Sequence, residues 1–385
     1  MNKMSDFRTL CVHAGELKDE QYGGATSPIY TSTSYPFTNV KIGQYPRYFN
    51  TPNQRGLSNK IASLEGAEAG MIFGSGMAAI STAMLSHLKA GDHVIFQNDL
   101  YGGTRNLIKH EFPKYGIEFS FTSGLNAEDF GAEIRKNTQG IYIETPSNPT
   151  LKIVDLKDIS LIAKKAGIWS MIDNTFASPV NQNPIGFGID IVIHSATKYL
   201  GGHSDICAGA VVGSQSSIDK VFSSAKNFGG SLSDYTVWLL ERSIKTLFIR
   251  VQAQNHNAQQ LAEYLHKQDW ISQVYYPGLF NHPDHKIAKT QMKGFGGMLS
   301  FDLEPNIDCE KFLLGLNLIK PTMSLAGIES TALSPRLTSH ALLSEEERQA
   351  QGITGQMVRF SCGIEAIDDI KFDILQSIKK QFHAN

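Results

Sequence analysis

Lys198 stands in SATKYLGGHSD, directly after the apolar run IDIVIH (189–194), with the hydroxyls of Ser195 and Thr197 just ahead of it. A buried strand followed by this segment puts two hydroxyls and an amine beyond the strand's C-terminal end, where open α/β sheets bind ligands. That combination suits a phosphate-bearing aldehyde: the hydroxyls hold the phosphate and the amine forms a Schiff base. A second apolar run, IWSMI (168–172), ends in Asp173-Asn174-Thr175, with Asp173 lying 25 residues before Lys198. A carboxylate there can pair with a protonated pyridine nitrogen, keep the ring cationic and let it accept electrons from a substrate carbanion. Taken singly, a solvated surface lysine and a loop carboxylate are the ordinary readings of such residues.

Two further turns point to the same ligand. In MIFGSGMAAIS a glycine-rich turn joins a strand to a helix, so the amides of Gly76 and Met77 face an anion at the helix N-terminus. Gly74, Gly76 and Ala79 also fit the dinucleotide fingerprint, and Asp99 follows Gly76 by 23 residues, which makes an NAD-dependent oxidoreductase the rival reading. A tight strand-to-helix turn that needs small residues is the plain alternative. GIYIE (140–144) ends in Glu144-Thr145-Pro146-Ser147-Asn148-Pro149, where Asn148 is a candidate donor to a ring hydroxyl or a substrate carboxylate. Pyridoxal phosphate uses all of these strand ends and the phosphate loop. NAD needs neither the lysine nor Asp173, and the rival reading falls.

The elements that carry these residues follow from periodicity. Apolar runs at 69–73, 93–97, 117–121, 140–144, 168–172, 189–194 and 208–213 alternate with helical stretches such as GMAAISTAMLSHL and DLKDISLIAKKAG. Such alternation predicts βαβ units and a mostly parallel sheet covered on both faces. Residues 233–267 read as one long helix or two consecutive ones. Beyond Tyr275, strands at 296–304 and 357–364 and helices near 308–315 and 366–382 predict a smaller α+β unit. Residues 1–57 are aperiodic and rich in Thr, Ser, Tyr, Gly and Pro, yet their aromatics argue against disorder, so an arm lying on a partner subunit is expected. The expected division is an arm (1–57), a large cofactor-binding domain (58–245) and a C-terminal domain (246–385).

Composition narrows the function class. The 385 residues carry 35 Lys and Arg against 37 Asp and Glu, a net charge of −2, which supplies no field for nucleic acid or an anionic membrane. The four cysteines, at 11, 207, 309 and 362, form no CxxC pair, as expected of a reducing compartment without a thiolate metal site. MNKMSDFRTLCVHAGELK lacks the apolar core of a signal peptide, and no stretch approaches the roughly 18 apolar residues of a membrane helix. These features predict a cytoplasmic globular enzyme with no resident metal.

Across nearly its whole length the chain resembles the Cys/Met-metabolism family of pyridoxal-phosphate enzymes. That family includes cystathionine γ-synthase, cystathionine β- and γ-lyases, methionine γ-lyase and the O-acylhomoserine sulfhydrylases. The matching segments are SGMAAI, LYGGT, ETPSNPTLKIVD, IDNTFASP, HSATKYLGGHSD and VRFSCGIE. The resemblance implies a fold-type-I α/β architecture, with Lys198 as the Schiff-base lysine and Asp173 on the pyridine nitrogen. It places Gly76, Met77, Ser195 and Thr197 at the phosphate, counts Thr175 among the cofactor-binding positions, and stacks Tyr101 on the cofactor ring near the leaving group. Arg359 becomes the carboxylate clamp, helped by Ser324 and Asn148. Tyr45 and Arg47 would reach the neighbouring subunit's phosphate, which implies a homo-oligomer with shared sites, usually a dimer of dimers.

The sequence departs from the family at four places. Asn50-Thr51-Pro52 replaces Asn-Pro-Thr; Ala326-Gly327 replaces Gly-Gly; Met323 stands where cystathionine γ-lyase and γ-synthase relatives carry Glu; Gly103 stands where methionine γ-lyases often carry Cys. An apolar Met323 and a small Gly103 predict a roomy wall and loose recognition of the substrate's distal group. The expected activity is a lyase cleaving C–S bonds of cystathionine or related sulfur amino acids. Cystathionine γ-synthase (γ-replacement on O-acylhomoserine), methionine γ-lyase and, from another class, a non-catalytic cofactor-binding protein remain open. The same residues serve β-elimination, γ-elimination and γ-replacement. His282 and His285 read as a surface loop rather than a metal pair, His194 and His203 as hydrogen-bonded structural residues, and Cys362 as a small packed residue.

Overall fold

The computed structural model describes residues 6–40, 43–338, 340–341 and 344–382. All seven apolar runs between 69 and 213 form strands: β1 (Ala69–Phe73), β2 (His93–Phe96), β3 (Glu118–Phe121), β4 (Thr138–Glu144), β5 (Trp169–Asp173), β6 (Ile191–His194) and β7 (Gly209–Gly213). Their spatial order is β1-β7-β6-β5-β4-β2-β3. Successive residues alternate between two buried layers: Ile72, Ile95, Ile143, Ile172 and Val192 pack on one face, Phe73, Phe96, Tyr142, Met171 and Ile193 on the other. Apolar cover on both faces explains why the strands read as continuous apolar runs.

Strands β2 to β6 pair in parallel, whereas β7 runs antiparallel to both β1 and β6. A parallel neighbour needs a crossover of a dozen or more residues, usually a helix. The segment joining β6 to β7 carries Ser195, Thr197 and Lys198 and contains no helix, so the chain turns straight back. The lysine therefore sits on a loop tied at both ends to one sheet. The crossover helix Leu156–Ala166 is delimited by its caps: Asp155 accepts from the amides of Lys157 and Asp158, and Gly167 takes a φ of 69°.

The stretch 233–267 resolves into two helices, Asp234–Ile244 and Leu247–Leu265, broken at Lys245-Thr246. A second sheet follows, of β8 (Ile271–Tyr275), β9 (Met298–Leu303), β10 (Lys320–Pro321), β11 (Thr331–Leu333) and β12 (Met357–Ser361), ordered β10-β11-β12-β9-β8. Strands β9 and β12 and the helices Cys309–Gly315 and Ile367–Phe382 fall where periodicity puts them. Strands β8, β10 and β11 were not foreseen: β10 and β11 span two and three residues, and β8 exposes its middle.

The N-terminal stretch contains more regular structure than its pattern shows. Phe7–His13 is helical, with Asp6 accepting from the Arg8 amide. The helix Pro52–Glu65 starts five residues before the aperiodic stretch was expected to end. Asn50-Thr51-Pro52 is its start signal: Thr51 is the N-cap, Pro52 occupies the first turn, and Gln54 completes a capping box. Between these helices the chain is mostly irregular, with Tyr22 and Phe37 exposed by more than four-fifths. No helix among the described residues is long and apolar enough to cross a membrane.

Candidate active site

The C-terminal ends of β4, β5 and β6 open onto a cavity of about 570 Å³, closed from the other side by Met323-Ser324-Leu325 and by Arg359 of β12. Gly76, Met77, Tyr101, Asn148, Asp173, Thr175, Ser195, Thr197, Lys198, Met323, Ser324 and Arg359 all line it. The strand-end residues converge there because a parallel sheet brings every C-terminal strand end to one edge.

The Lys198 amine donates to Ser324 Oγ at 2.9 Å, joining the first sheet's loop to the second sheet's side of the cavity. Burial, reinforced by the Arg359 charge, lowers the lysine from its usual 10.5 to about 8. Asp173 accepts from the Thr175 amide at 2.9 Å, and burial pushes its carboxyl above the ordinary range. It makes no ion pair among the described residues, with Lys198 and His194 acting on it only at a distance, so a cationic ring nitrogen would meet a carboxylate without a direct cationic partner. Thr175 also accepts from the Ser195 amide at 2.8 Å, fastening the end of β5 to the loop after β6.

The anion side is equally defined. The helix Gly76–Leu85 begins at the cavity, where Ser75 accepts from Ala78 through its side chain and from Ala79 through its carbonyl. The Gly76 and Met77 amides are thereby left to an anion. A Cβ on Gly76 would lie 2.8 Å from that of Ser195, so only glycine lets the turn approach this close. The residues present fit the phosphate, the ring nitrogen and the aldehyde of pyridoxal phosphate.

Opposite the lysine, Arg359 donates to Asn148 Oδ1 at 3.0 Å and to the Ser324 carbonyl at 3.2 Å. Burial lowers its guanidinium only to about 10, so it stays cationic at neutral pH. Ser324 holds a left-handed φ of 79°, a conformation unusual for a residue with a side chain. Met323 is 69% exposed at the cavity mouth. Gly103 leaves no empty space, contrary to expectation: a Cβ there would lie 2.6 Å from the Tyr101 ring and 3.1 Å from Met77 Sδ. The missing side chain makes room for the Tyr101 ring.

Tyr45 and Arg47 are not brought to this cavity within one chain. Arg47 donates to the Lys226 carbonyl at 2.6 Å and lies over the rings of Tyr45 and Tyr48, at 5.6 and 4.9 Å. Sequence reasoning missed several wall residues. Glu144 was seen only as a strand end; Arg105, Cys207 and His340 gave no local signal. Arg105 donates to the carbonyl and side chain of Asn98 at 2.8 and 3.1 Å and sits 4.5 Å over the Phe121 ring. Burial, then the Arg359 charge, holds His340 down at about 4, so it enters the wall as a neutral ring.

His282 is buried, not on the surface, and its Nδ1 accepts from the Asp284 amide at 3.2 Å. His285 bonds the Pro277 carbonyl at 2.8 Å, and no group of three or more metal-ligating side chains occurs among the described residues. His194 pairs with Glu65 at 2.7 Å, His203 bonds the Gly201 carbonyl at 2.8 Å, and Cys362 is fully buried. Asp99, the acidic residue a dinucleotide would need, is buried against Ser147 at 2.7 Å.

A lysine, a buried carboxylate and a glycine-bounded helix start thus meet at one edge of a mostly parallel sheet. The chain belongs to the family of Cys/Met metabolism PLP-dependent enzymes, whose pattern matches residues 8–379. It is 41% identical to a cystathionine beta-lyase of Lactococcus lactis, over 98% of this chain and all of that protein. It is 40% identical to an L-methionine gamma-lyase of Fusobacterium nucleatum, over 98% of this chain and 99% of that one. The solved structure of cystathionine gamma-lyase from Lactobacillus plantarum complexed with L-serine superposes with a TM-score of 0.94 at 38% identity, covering 97% of this chain and 99% of the other.

Proposed function

We propose that the protein is a carbon–sulfur lyase that cleaves cystathionine or a related sulfur amino acid by β- or γ-elimination. The observation that carries this reading is the pairing, across one cavity, of the Lys198 amine with the Arg359–Asn148 clamp. Arg359 and Asn148 bind the α-carboxylate, and the planar guanidinium fixes its orientation. Bound pyridoxal phosphate supplies the electron sink that makes the α-proton acidic. The lowered amine of Lys198 accepts that proton and returns one near the leaving sulfur. Asp173 holds the ring-nitrogen side and Tyr101 stacks on the ring near the leaving group. Names of relatives include β- and γ-lyases, so the direction of cleavage is an open pair. Product analysis on cystathionine separates them: homocysteine with pyruvate marks β-cleavage, cysteine with 2-oxobutyrate γ-cleavage. Absence of both keto acids, with cystathionine and with methionine, from a protein that carries its cofactor would end the lyase reading.

Met323 favours a second reading, activity on several sulfur amino acids. A carboxylate at this position would pair with the distal ammonium of cystathionine, whereas a thioether leaves that charge unpaired, at a cost in binding. Met323→Glu is expected to raise kcat/KM for cystathionine relative to methionine. A fixed ratio of the two, with fold and cofactor intact, would show that another wall residue reads the distal group.

The arm is read as serving a second copy of the chain. This is supported by exposed aromatics in residues 22–48 and by Tyr45 and Arg47 lying outside their own cavity. Mixing inactive Arg47→Ala chains with inactive Lys198→Ala chains should restore part of the activity, because one site in the hybrid receives both wild-type residues. No recovery despite demonstrated subunit exchange would assign the arm to its own chain.

A further inference from the structure

We infer that Glu144 is a positioning residue: it holds Tyr101 in place and ties that hold to the charge bound at Asp173. The inference rests on the roles given above to Tyr101 and Asp173. Glu144 closes β4, and the strand register sets it opposite Asp173 on β5. Both side chains therefore leave the sheet on the same face, their strands about 4.8 Å apart. The backbone of Glu144 is fixed twice by the Gln97 carboxamide, which accepts from its amide and donates to its carbonyl, both at 2.9 Å. From this fixed point Glu144 Oε2 accepts the Tyr101 amide at 2.7 Å, and Oε1 accepts the Tyr142 hydroxyl at 3.3 Å. Tyr101 begins the short helix Gly102–Asn106 and makes no side-chain capping bond of its own. The tyrosine is thus carried by β4 through the carboxyl of Glu144.

Two neighbouring buried carboxyls do not both ionise at low cost. Burial, then the Asp173 charge, raises Glu144 to about 8, while the Tyr101 amide pulls the other way. The other titratable groups facing the pair are Tyr142 on β4, with Lys198 and His194 acting on Asp173 from the β6 side. A cation held by Asp173 removes the repulsion. Glu144 then gives up its proton, and the bond from the Tyr101 amide becomes charge-assisted, roughly twice as strong. Loading the cofactor therefore tightens Tyr101.

Amide hydrogen exchange on the whole chain, empty and loaded with pyridoxal phosphate, tests this. In the wild type, loading should slow exchange at Tyr101 by up to about tenfold, the difference between a neutral and a charge-assisted hydrogen bond. Glu144→Gln keeps an acceptor oxygen but cannot ionise. It should bind the cofactor, turn yellow and show the same Tyr101 exchange empty and loaded. Glu144→Asp, ionisable but one methylene short, should lose the protection as well. In a cycle with Tyr101→Phe, the effects of Glu144→Gln and Tyr101→Phe on kcat/KM should be non-additive, whereas a purely structural Glu144 gives independent effects. If loading protects Tyr101 equally in wild type and Glu144→Gln, or the two effects multiply, the inference is overturned while the site assignment stands. If the wild type takes up no cofactor, both fall.

Discussion

Lys198→Ala is expected to abolish covalent retention of the cofactor and to lower kcat by at least the 10²–10⁴-fold typical of a positioned proton-transfer group. Borohydride treatment of the wild type should fix the cofactor to the peptide containing Lys198 and leave the alanine variant unlabelled. Label on another lysine would refute the assignment. The pH dependence follows from the amine's surroundings. Burial and Arg359 bring Lys198 to about 8 where an exposed lysine sits at 10.5. An amine attacks an aldehyde only when unprotonated, so capture of pyridoxal phosphate by the empty protein should accelerate as pH rises through about 8. A midpoint near 10 would mean that the lysine is not desolvated in solution.

Arg359 carries the second large effect. Arg359→Ala leaves the Asn148 carboxamide and the Ser324 carbonyl without their donor and a substrate carboxylate without a cation in a buried place. Truncating one side of a buried charged pair costs about 2–5 kcal/mol. Tenfold per about 1.4 kcal/mol puts the fall in kcat/KM at roughly 30-fold or more. Arg359→Lys keeps the charge but not the fork, and should fall between the wild type and the alanine variant. Cofactor absorbance should persist in both, because Arg359 lies on the substrate side. Unchanged kcat/KM in both variants would assign the carboxylate to another residue, with Arg105 the other arginine lining the cavity.

The first sheet and its lysine were legible because strand periodicity, glycine turns and strand-end polar residues are local features. Ser195, Thr197 and Lys198 are three neighbours on one loop, and Asp173 ends the adjoining strand. The role of Glu144 was not legible, since it depends on β4 lying beside β5 in a register that sets Glu144 opposite Asp173. Arg105 and His340 reach the wall from a helix and a loop with no periodic signal of their own, and only tertiary packing brings them together. The reading of Gly103 as added room failed because composition shows which side chain is missing, not which neighbour fills its place. The helix at Pro52 was concealed by its length of buried polar residues, Asn53, Gln54, Ser58 and Lys60, which break the amphipathic pattern.

The division of the cavity between two sheets also orders its assembly in time. A ribosome delivers the chain N-terminus first, at about 5–20 residues per second. Lys198, the last of the glycine turn, Asp173 and Lys198 to appear, therefore emerges roughly ten to thirty seconds before Arg359. During that interval the nascent chain carries Gly76, Asp173, Lys198 and the Asn148 half of the proposed clamp, but neither Ser324 nor Arg359. Arg359, on the last strand to be laid down, completes the proposed clamp.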